Sequence, residues 1–445
     1  MPKKNEKEQL AHDIVRRLNR HGYRALYAGG YVRDMLLGIA NGKESDIDIA
    51  TSARPEDIAR VFPKVARVGE HFGVMIVIRN NIPFEVATFR ADIGIKDGRH
   101  PNEVAFVDER EDAQRRDFTI NGLFYDPETR EVLDYVSGKE DLEKGIIRAI
   151  GNPEERFRED YLRLLRAIRF SARFDYAVED TTWKAVCSAR KGIGAISPER
   201  IFQELDKMLR SPHPDRAIIL LHESGLLPLI LPEIQALVGV EQPPEFHPEG
   251  DVFAHTVKAL GLLKDPSQCA AWSVLLHDIG KPGTMKRMDR IRFNQHQHIG
   301  ALMSRKVLKR LKASRALIEN VYECIDNHMN FMNVKKMRLS TLKKFLARPT
   351  FDDEMVLHKV DCLASHGDLE NYEFLKEKKQ ELTAEMIKPA PFLRGKDLID
   401  AGLTPGPLFG KILKQAYDLQ LEERITTRDE ALEWLHKTIE KKPIQ

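Results

Sequence analysis

The chain has 445 residues, which at about 150 residues per domain suggests roughly three domains and excludes a lone small module. Lys and Arg number 70 against 68 Asp and Glu, a net charge of +2. No bulk positive charge is therefore available to hold a polyanion, and any nucleic-acid site must be locally clustered. With 42% hydrophobic and 31% charged residues the composition is that of a folding globular protein, away from the disordered range.

No apolar stretch approaches the ~20 residues that span a bilayer, and Met1-Pro2-Lys3-Lys4-Asn5-Glu6 lacks the apolar centre of a secretion signal. A cytoplasmic protein with no membrane partner is expected. Cys187, Cys269, Cys324 and Cys362 form no CxxC pair and read as small core residues, with neither a disulfide framework nor a thiolate zinc site.

Up to about residue 148, short β-rich runs alternate with helical stretches. Examples are Asp46-Ile47-Asp48-Ile49-Ala50 and the runs Val74–Ile78 and Phe84–Phe89 on either side of Arg79-Asn80-Asn81. This predicts an α+β head over residues 1–148. From Pro153 to about Val240 the spacing becomes helical with almost no strand signal, and Ser197 before Pro198 marks a helix start. A helical neck and body over 149–240 is expected. Glu241 to Pro248 is rich in proline and polar residues and reads as a connection, with a second helical unit starting near Asp251 and covering 245–370. Eight of the 15 histidines fall between Glu245 and Asp368, which suggests chemistry there. A break at Lys388-Pro389-Ala390-Pro391 lies within a helical tail, 371–445.

Gly29-Gly30-Tyr31-Val32-Arg33-Asp34 follows the apolar run Ala25–Ala28 and precedes Met35-Leu36-Leu37, so it reads as a strand-to-helix turn. Two glycines let a backbone approach phosphate closely, and Arg33 can add a charged fork. The same turn could serve only to reverse the chain. Asp46 and Asp48, at i and i+2 on a strand, point to one face, where like charges so close are stable mainly around a divalent cation such as Mg²⁺. A solvated strand edge is the plainer alternative.

Together, Gly29–Asp34 and Asp46-Ile47-Asp48 resemble the signature of the DNA polymerase β-like nucleotidyltransferases. Arg115-Arg116-Asp117-Phe118-Thr119-Ile120-Asn121 and Glu159-Asp160-Tyr161-Leu162-Arg163-Leu164-Leu165-Arg166-Ala167-Ile168-Arg169-Phe170 resemble later motifs of the class II tRNA nucleotidyltransferases, the CCA-adding enzymes and their poly(A) polymerase relatives. The resemblance implies two metal ions at Asp46 and Asp48, one activating an RNA 3′-hydroxyl and one bridging a triphosphate. It also implies that Arg116 meets ribose or phosphate and that Arg166 and Arg169 meet the nucleotide phosphates.

Asp160 and Arg163, read as neighbours on one helix face, suit the amine donor and ring-nitrogen acceptor that cytosine and adenine share. Arg163, Arg166, Arg169 and Arg173 fall within about 120° of an ideal helix and form a basic stripe, which could also be a solvated face. Thr88 to Pro101, with Gly94 and Gly98, resembles the segment that relatives use when switching from CTP to ATP.

Farther along, His255, the pair His277-Asp278 and Asp361 are ligand types that suit a divalent transition metal. Their order resembles that of the HD-type phosphohydrolases, in which His296 and His328 sit where relatives bind a second metal or phosphate. Leu393-Arg394-Gly395-Lys396-Asp397-Leu398-Ile399 through Pro405-Gly406-Pro407 also resembles the rear of tRNA nucleotidyltransferases that carry such a domain.

The fold class expected is α+β, a polymerase β-like head followed by a helical body and a helical HD domain. The resemblance implies CMP and AMP addition from CTP and ATP to tRNA 3′ ends with Mg²⁺, and an accessory phosphohydrolase. No protein partner is indicated. A poly(A) polymerase or a partial CC- or A-adding enzyme shares the same motifs, and a mainly hydrolytic protein is the alternative from another class.

Overall fold

Every side chain of Ala25-Leu26-Tyr27-Ala28 is buried, the mark of a strand covered on both faces. In the computed structural model, which describes residues 4–39, 46–67, 73–95, 101–243, 250–287 and 289–440, this strand (β1, Ala25–Ala28) lies inside a mixed sheet. The chain divides into two compact units, Met1–Gln235 and Ala236–Gln445.

In the first unit the other strands are β2 (Asp48–Thr51), β3 (Val65–Ala66), β4 (Val74–Arg79), β5 (Ile82–Thr88), the hairpin β6 (Arg90–Ile95) and β7 (Pro101–Phe106), then β8 (Leu123–Asp126) and β9 (Glu131–Asp134). Among the described residues, seven of these form one sheet in the order β3-β4-β5-β2-β1-β8-β9. β2 pairs parallel with β5, whereas its pairing with β1 is antiparallel. The β4–β5 hairpin turns at Asn80 and Asn81, both left-handed at φ 49° and 63°, the conformation in which asparagine replaces glycine most readily.

The sheet's two faces are filled unequally. On one, Tyr27, Ile49, Val77, Phe84 and Val86 pack with Ile14, Val15 and Leu18 of the helix Lys4–Arg20 and with Ile58 and Phe62. On the other, Leu26, Ala28, Ala50, Phe89 and Phe124 form a smaller cluster. Residues 96–100, within the segment read as a switching region, lie outside the described residues, as do 244–249 of the expected connection.

The remainder of the first unit is helical, as its spacing predicts, with main helices Pro153–Glu159, Leu162–Phe174, Asp180–Ala189, Pro198–Leu209 and Pro214–Glu223. One small strand escaped the sequence reading: β11 (Ala177–Val178) pairs in parallel with β10 (Ile146–Ile147), too short a run to carry any alternation.

In the second unit the helix Val252–Gly261 starts where expected, because the Asp251 carboxylate accepts from Ala254 N at 2.8 Å. The helix Gln268–Leu276, which carries the buried Trp272, packs against it and against Arg315–Asn327 and Phe351–Ala364, His296–Arg310 packs on Arg315–Asn327, and a hairpin of β12 (Met285–Arg287) and β13 (Ile291–Phe293) leads into His296. A further core of Leu398, Ile412 and Leu435 lies among the last helices. Cys269, Cys324 and Cys362 are buried, as read, and Cys187 is half-buried; all four are free thiols. Among the described residues no helix is long and apolar enough to cross a membrane.

Gly280 follows His277-Asp278 and sets how closely the helix His296–Arg310 can approach. A Cβ placed there meets the His296 carbonyl oxygen and, at 2.6 Å, Gly300 N. Both obstacles are backbone and cannot swing aside. Gly280→Ala is expected to lower stability by about 1–3 kcal/mol, read as a shift in the denaturant midpoint; an unchanged midpoint shows that the two segments part freely.

Candidate active site and histidine–aspartate cluster

Ile47 and Ile49 are buried in the larger core, so strand alternation turns Asp48 to the opposite face. There Ala28, Ala50 and Ala87 line a cavity of about 700 Å³, their methyl side chains leaving room that larger residues would fill. Asp48 opens β2, directly across from Ala28. Asp46 precedes the strand instead of lying in it, with a side chain 93% exposed and Lys7 Nζ at 3.1 Å. Both aspartates border the cavity.

A third carboxylate, Glu85, escaped the sequence reading. The parallel register Ile49↔Val86 sets Glu85 beside Asp48 on the cavity face. The only signal in the sequence was an acid at an alternate position of Phe84-Glu85-Val86, which reads equally as a solvated strand residue. Burial first, then the charges of Glu85 and Asp46, push the Asp48 carboxyl up to about 6, against the opposing pull of Arg116 and Lys7. This crowding of oxygen ligands fits a divalent cation, which would relieve it.

The cavity wall is the helix Leu162–Phe174, whose Leu164, Leu165, Ala167 and Ile168 are buried while its arginines face the opening. The expected stripe is present, but each arginine is already held. Arg166 bonds Asp117 at 2.6–2.7 Å, Arg169 bonds Glu204 at 2.6 Å and Arg173 bonds Asp34 at 2.8 Å. Arg163 binds Glu159 and, at 2.7 Å, the Arg156 carbonyl. Burial raises the Asp117 carboxyl, but Arg166 and the Asn121 amide more than offset it and hold it well below the carboxylate range.

Two expectations change. Asp160 is not on the helix with Arg163: its backbone is extended at φ −152°, and its carboxylate accepts from Leu162 N at 3.0 Å, where the next helix begins. A carboxylate that bonds local amides favours helix ends over interiors. Arg200, also missed, grips Asp160 at 2.6 and 3.2 Å, and both Asp160 and Arg163 line the cavity. Arg33 is not a free phosphate fork: it is 3% exposed, bonded to Asp34 at 2.8 Å and to the Asn121 amide oxygen. Its guanidinium lies over Phe174, 4.8 Å from the ring centre.

Gly29 and Gly30 line the cavity, and Gly29 is left-handed at φ 65°, where an added Cβ would stand 2.8 Å from Arg116 Nη1. Arg116 is itself oriented by Asp112 at 3.0–3.1 Å and the Asn121 carbonyl at 3.2 Å.

In the second unit, His255, His277 and Asp361 bring one ligand atom each into a group within 4.8 Å, and Asp278, His296 and His328 make an adjacent group. The four residues read as one set stand together, and Asp278 joins the two groups: its Oδ2 lies 3.2 Å from His277 Nε2 and 3.9 Å from His255 Nε2, its Oδ1 3.7 Å from His296 Nε2. Three backbone carbonyls fix the rings: Nδ1 of His277, His296 and His328 donates to Val274, Phe293 and Ile325 at 2.8, 2.8 and 2.6 Å. The Nε2 lone pairs are left facing inward, with those of His296 and His328 only 3.3 Å apart. His277 Nε2 is buried without a well-aligned hydrogen bond.

Burial, then His296 and His277, push His328 down to about 3, so its ring is neutral. Burial works the other way on Asp361, but the hydrogen bond from His255 and the neighbouring histidines hold its carboxyl well below the usual range. Neutral imidazoles oriented by their second nitrogen, with ionised carboxylates between them, fit transition-metal ligation.

The fold and the cavity define a polymerase-type nucleotidyltransferase. Residues 25–148 match the Poly A polymerase head domain, 175–237 the probable RNA and SrmB-binding site of polymerase A, and 252–365 the HD domain. The CCA-adding enzyme of Enterococcus faecalis is 31% identical over 96% of this chain and 95% of its own length. That of Geobacillus thermodenitrificans is 42% identical over 49% of this chain, which there spans about half, 53%, of the relative. The crystal structure of the Bacillus stearothermophilus CCA-adding enzyme in complex with CTP superposes with a TM-score of 0.75 at 26% identity, covering 99% of both chains. The chain belongs to the CCA-adding enzyme family.

Because the Asp48 carboxyl is raised in the folded state, folding favours its protonated form, and its contribution to stability falls as pH rises from about 4 through 6. Asp48→Asn is expected to stabilise the metal-free protein at pH 7 by about 1–3 kcal/mol. A divalent cation held by Asp48 should bind about tenfold more weakly at pH 5 than at pH 7. Denaturant titrations and calorimetry check both; no stabilisation means that the carboxylate ionises without strain.

Proposed function

We propose that this chain transfers CMP and AMP from CTP and ATP to the 3′ end of tRNA, releasing pyrophosphate and using no nucleic-acid template. The observation that carries the reading is the group Asp46, Asp48 and Glu85 bordering an arginine-walled cavity that Asp160 and Arg163 also line. Asp46 and Asp48 are the ligands for Mg²⁺, which when bound neutralises the triphosphate and lowers the pKa of the attacking hydroxyl. Gly29 and Gly30 give the phosphates close backbone approach, Arg116 meets ribose or phosphate, and Arg166 and Arg169 complement the phosphate charge without having to be ordered first.

Asp160 keeps acceptor capacity beyond its bonds to Arg200 and Leu162 N, since a carboxylate offers about four lone-pair sites. It can accept from the exocyclic amine of cytosine or adenine while Arg163 donates to the adjacent ring nitrogen. Uracil and guanine present these groups reversed.

Incubating tRNA that lacks its end with labelled CTP and ATP, beside an oligoadenylate primer, tests the reading. Short additions to tRNA are expected from both nucleotides; long adenylate tails on the primer would make the chain a poly(A) polymerase, and use of one nucleotide a partial CC- or A-adding enzyme. Asp46→Ala should reduce addition by at least about a thousandfold, and near-normal rates would remove the catalytic assignment. Asp160→Ala should lower CTP-over-UTP discrimination by about ten- to a hundredfold in kcat/KM.

A second reading rests on the inward Nε2 atoms of the histidine cluster. We propose that His255, His277, Asp278 and Asp361, with His296 and His328, hold divalent transition metal and hydrolyse a phosphoester. Release of the alcohol from a model diester, leaving a phosphomonoester, should survive Asp46→Ala and vanish in His277→Ala; release that persists in the second variant sinks this assignment.

A further inference from the structure

Two cavities meet at the aspartates. Beside the one already described lies a second, of about 760 Å³, bordered by Asp46, Asp48, Arg173, Lys207 and Arg210. Glu85, Asp160 and Arg163 border only the first, and Arg210 only the second. Resting on the nucleotidyl-transfer reading, the geometry divides the reaction between them. In an in-line displacement the attacking oxygen and the leaving group occupy opposite sides of the α-phosphorus. Arg173 and Lys207 border both cavities and Arg210 only the second, so this cavity carries the cations of the phosphate side outward from Asp46 and Asp48, away from the base-reading side chains.

The charges of the second cavity suit that occupant. Arg33 and Arg169 line it as well, giving five cations against Asp34, Asp46 and Asp48. Its outer cations reach solvent: the side chains of Arg173, Lys207 and Arg210 are 37%, 57% and 45% exposed. Arg210 is oriented by Asp206 at 2.6 and 3.1 Å, and the nearest carboxylate oxygen to Lys207 Nζ, on Glu204, is 4.0 Å away. Lys207 is thus the most loosely engaged of these cations, on a side chain long enough to follow a small anion outward.

We propose that this cavity is a pyrophosphate site, in which Arg173, Lys207 and Arg210 receive the leaving group and through which it departs. In the step, the RNA 3′ oxygen bonds the α-phosphorus and gives up its proton to water. The bond from that phosphorus to the bridging oxygen breaks, and pyrophosphate leaves with the oxygen and its electron pair. Added pyrophosphate enters the same way to reverse the reaction.

The test uses the full chain with Arg210→Ala, Lys207→Ala and the conservative Arg210→Lys, each checked for an unchanged melting curve. Titrating magnesium pyrophosphate calorimetrically should show affinity reduced about tenfold by either alanine variant and largely restored by Arg210→Lys, as expected for lost charge-assisted hydrogen bonds. Pyrophosphate's inhibition constant against CMP addition should rise in parallel, with KM for tRNA within about twofold. Unchanged pyrophosphate affinity overturns the proposal, and so does a KM for tRNA that rises as much as the inhibition constant, which would mark an RNA site. If the unsubstituted chain adds no nucleotide, the transferase reading fails separately, because the titration does not depend on turnover.

Discussion

Asp48 and Glu85 sit side by side because β2 and β5 run parallel in a register that aligns Ile49 with Val86, and the rest of the first unit accommodates the repulsion this creates. The strands cannot slip by one residue without driving both acids into the core among Tyr27, Val77 and Phe84. Hydrophobic burial on one face therefore fixes an unfavourable electrostatic arrangement on the other. Burial and the charges of Glu85 and Asp46 together raise the Asp48 carboxyl, the mark of a site where like charges are crowded.

The arginine wall follows the opposite logic. Each guanidinium is paired with a carboxylate, Asp117, Glu204, Asp34 or Glu159, two of them shared with Arg33 or Arg156, and those carboxylates come from different segments of the first unit. Removing one buried partner leaves an uncompensated charge. The motif residues that look least chemical are thus positioning residues: Asp117 holds Arg166, Asp112 and Asn121 hold Arg116, and Asn121 also meets Arg33. Phe170 and Phe174 add aromatic faces beneath Arg33, Arg166 and Arg169, spacing the cations while shielding them from water.

In the second unit backbone carbonyls do what carboxylates do in the first. Val274, Phe293 and Ile325 each bind the Nδ1 of a histidine three residues ahead, so helix and turn geometry select the tautomer. Burial then keeps His328 neutral. Inward lone pairs and ionised aspartates follow from the local fold itself.

Much of this was legible in the residues. Short apolar and β-rich runs marked β1, β4 and β5, the change to helical spacing marked the body, and the order of acids, arginines and histidines marked both clusters, because these signals are local or carried by residue type. Pairings across the chain were not legible. Glu85 looked like any solvated strand acid until register set it beside Asp48, and Asp160 looked helical until its own carboxylate was seen capping the next helix. Arg33 looked like a free cation until Asp34 and Asn121 were seen to hold it. The sequence by itself determined which chemical groups the chain has and the elements that carry them. Only the tertiary structure decided which of them meet, because strand register and helix packing bring together residues as far apart as Asp34 and Arg173.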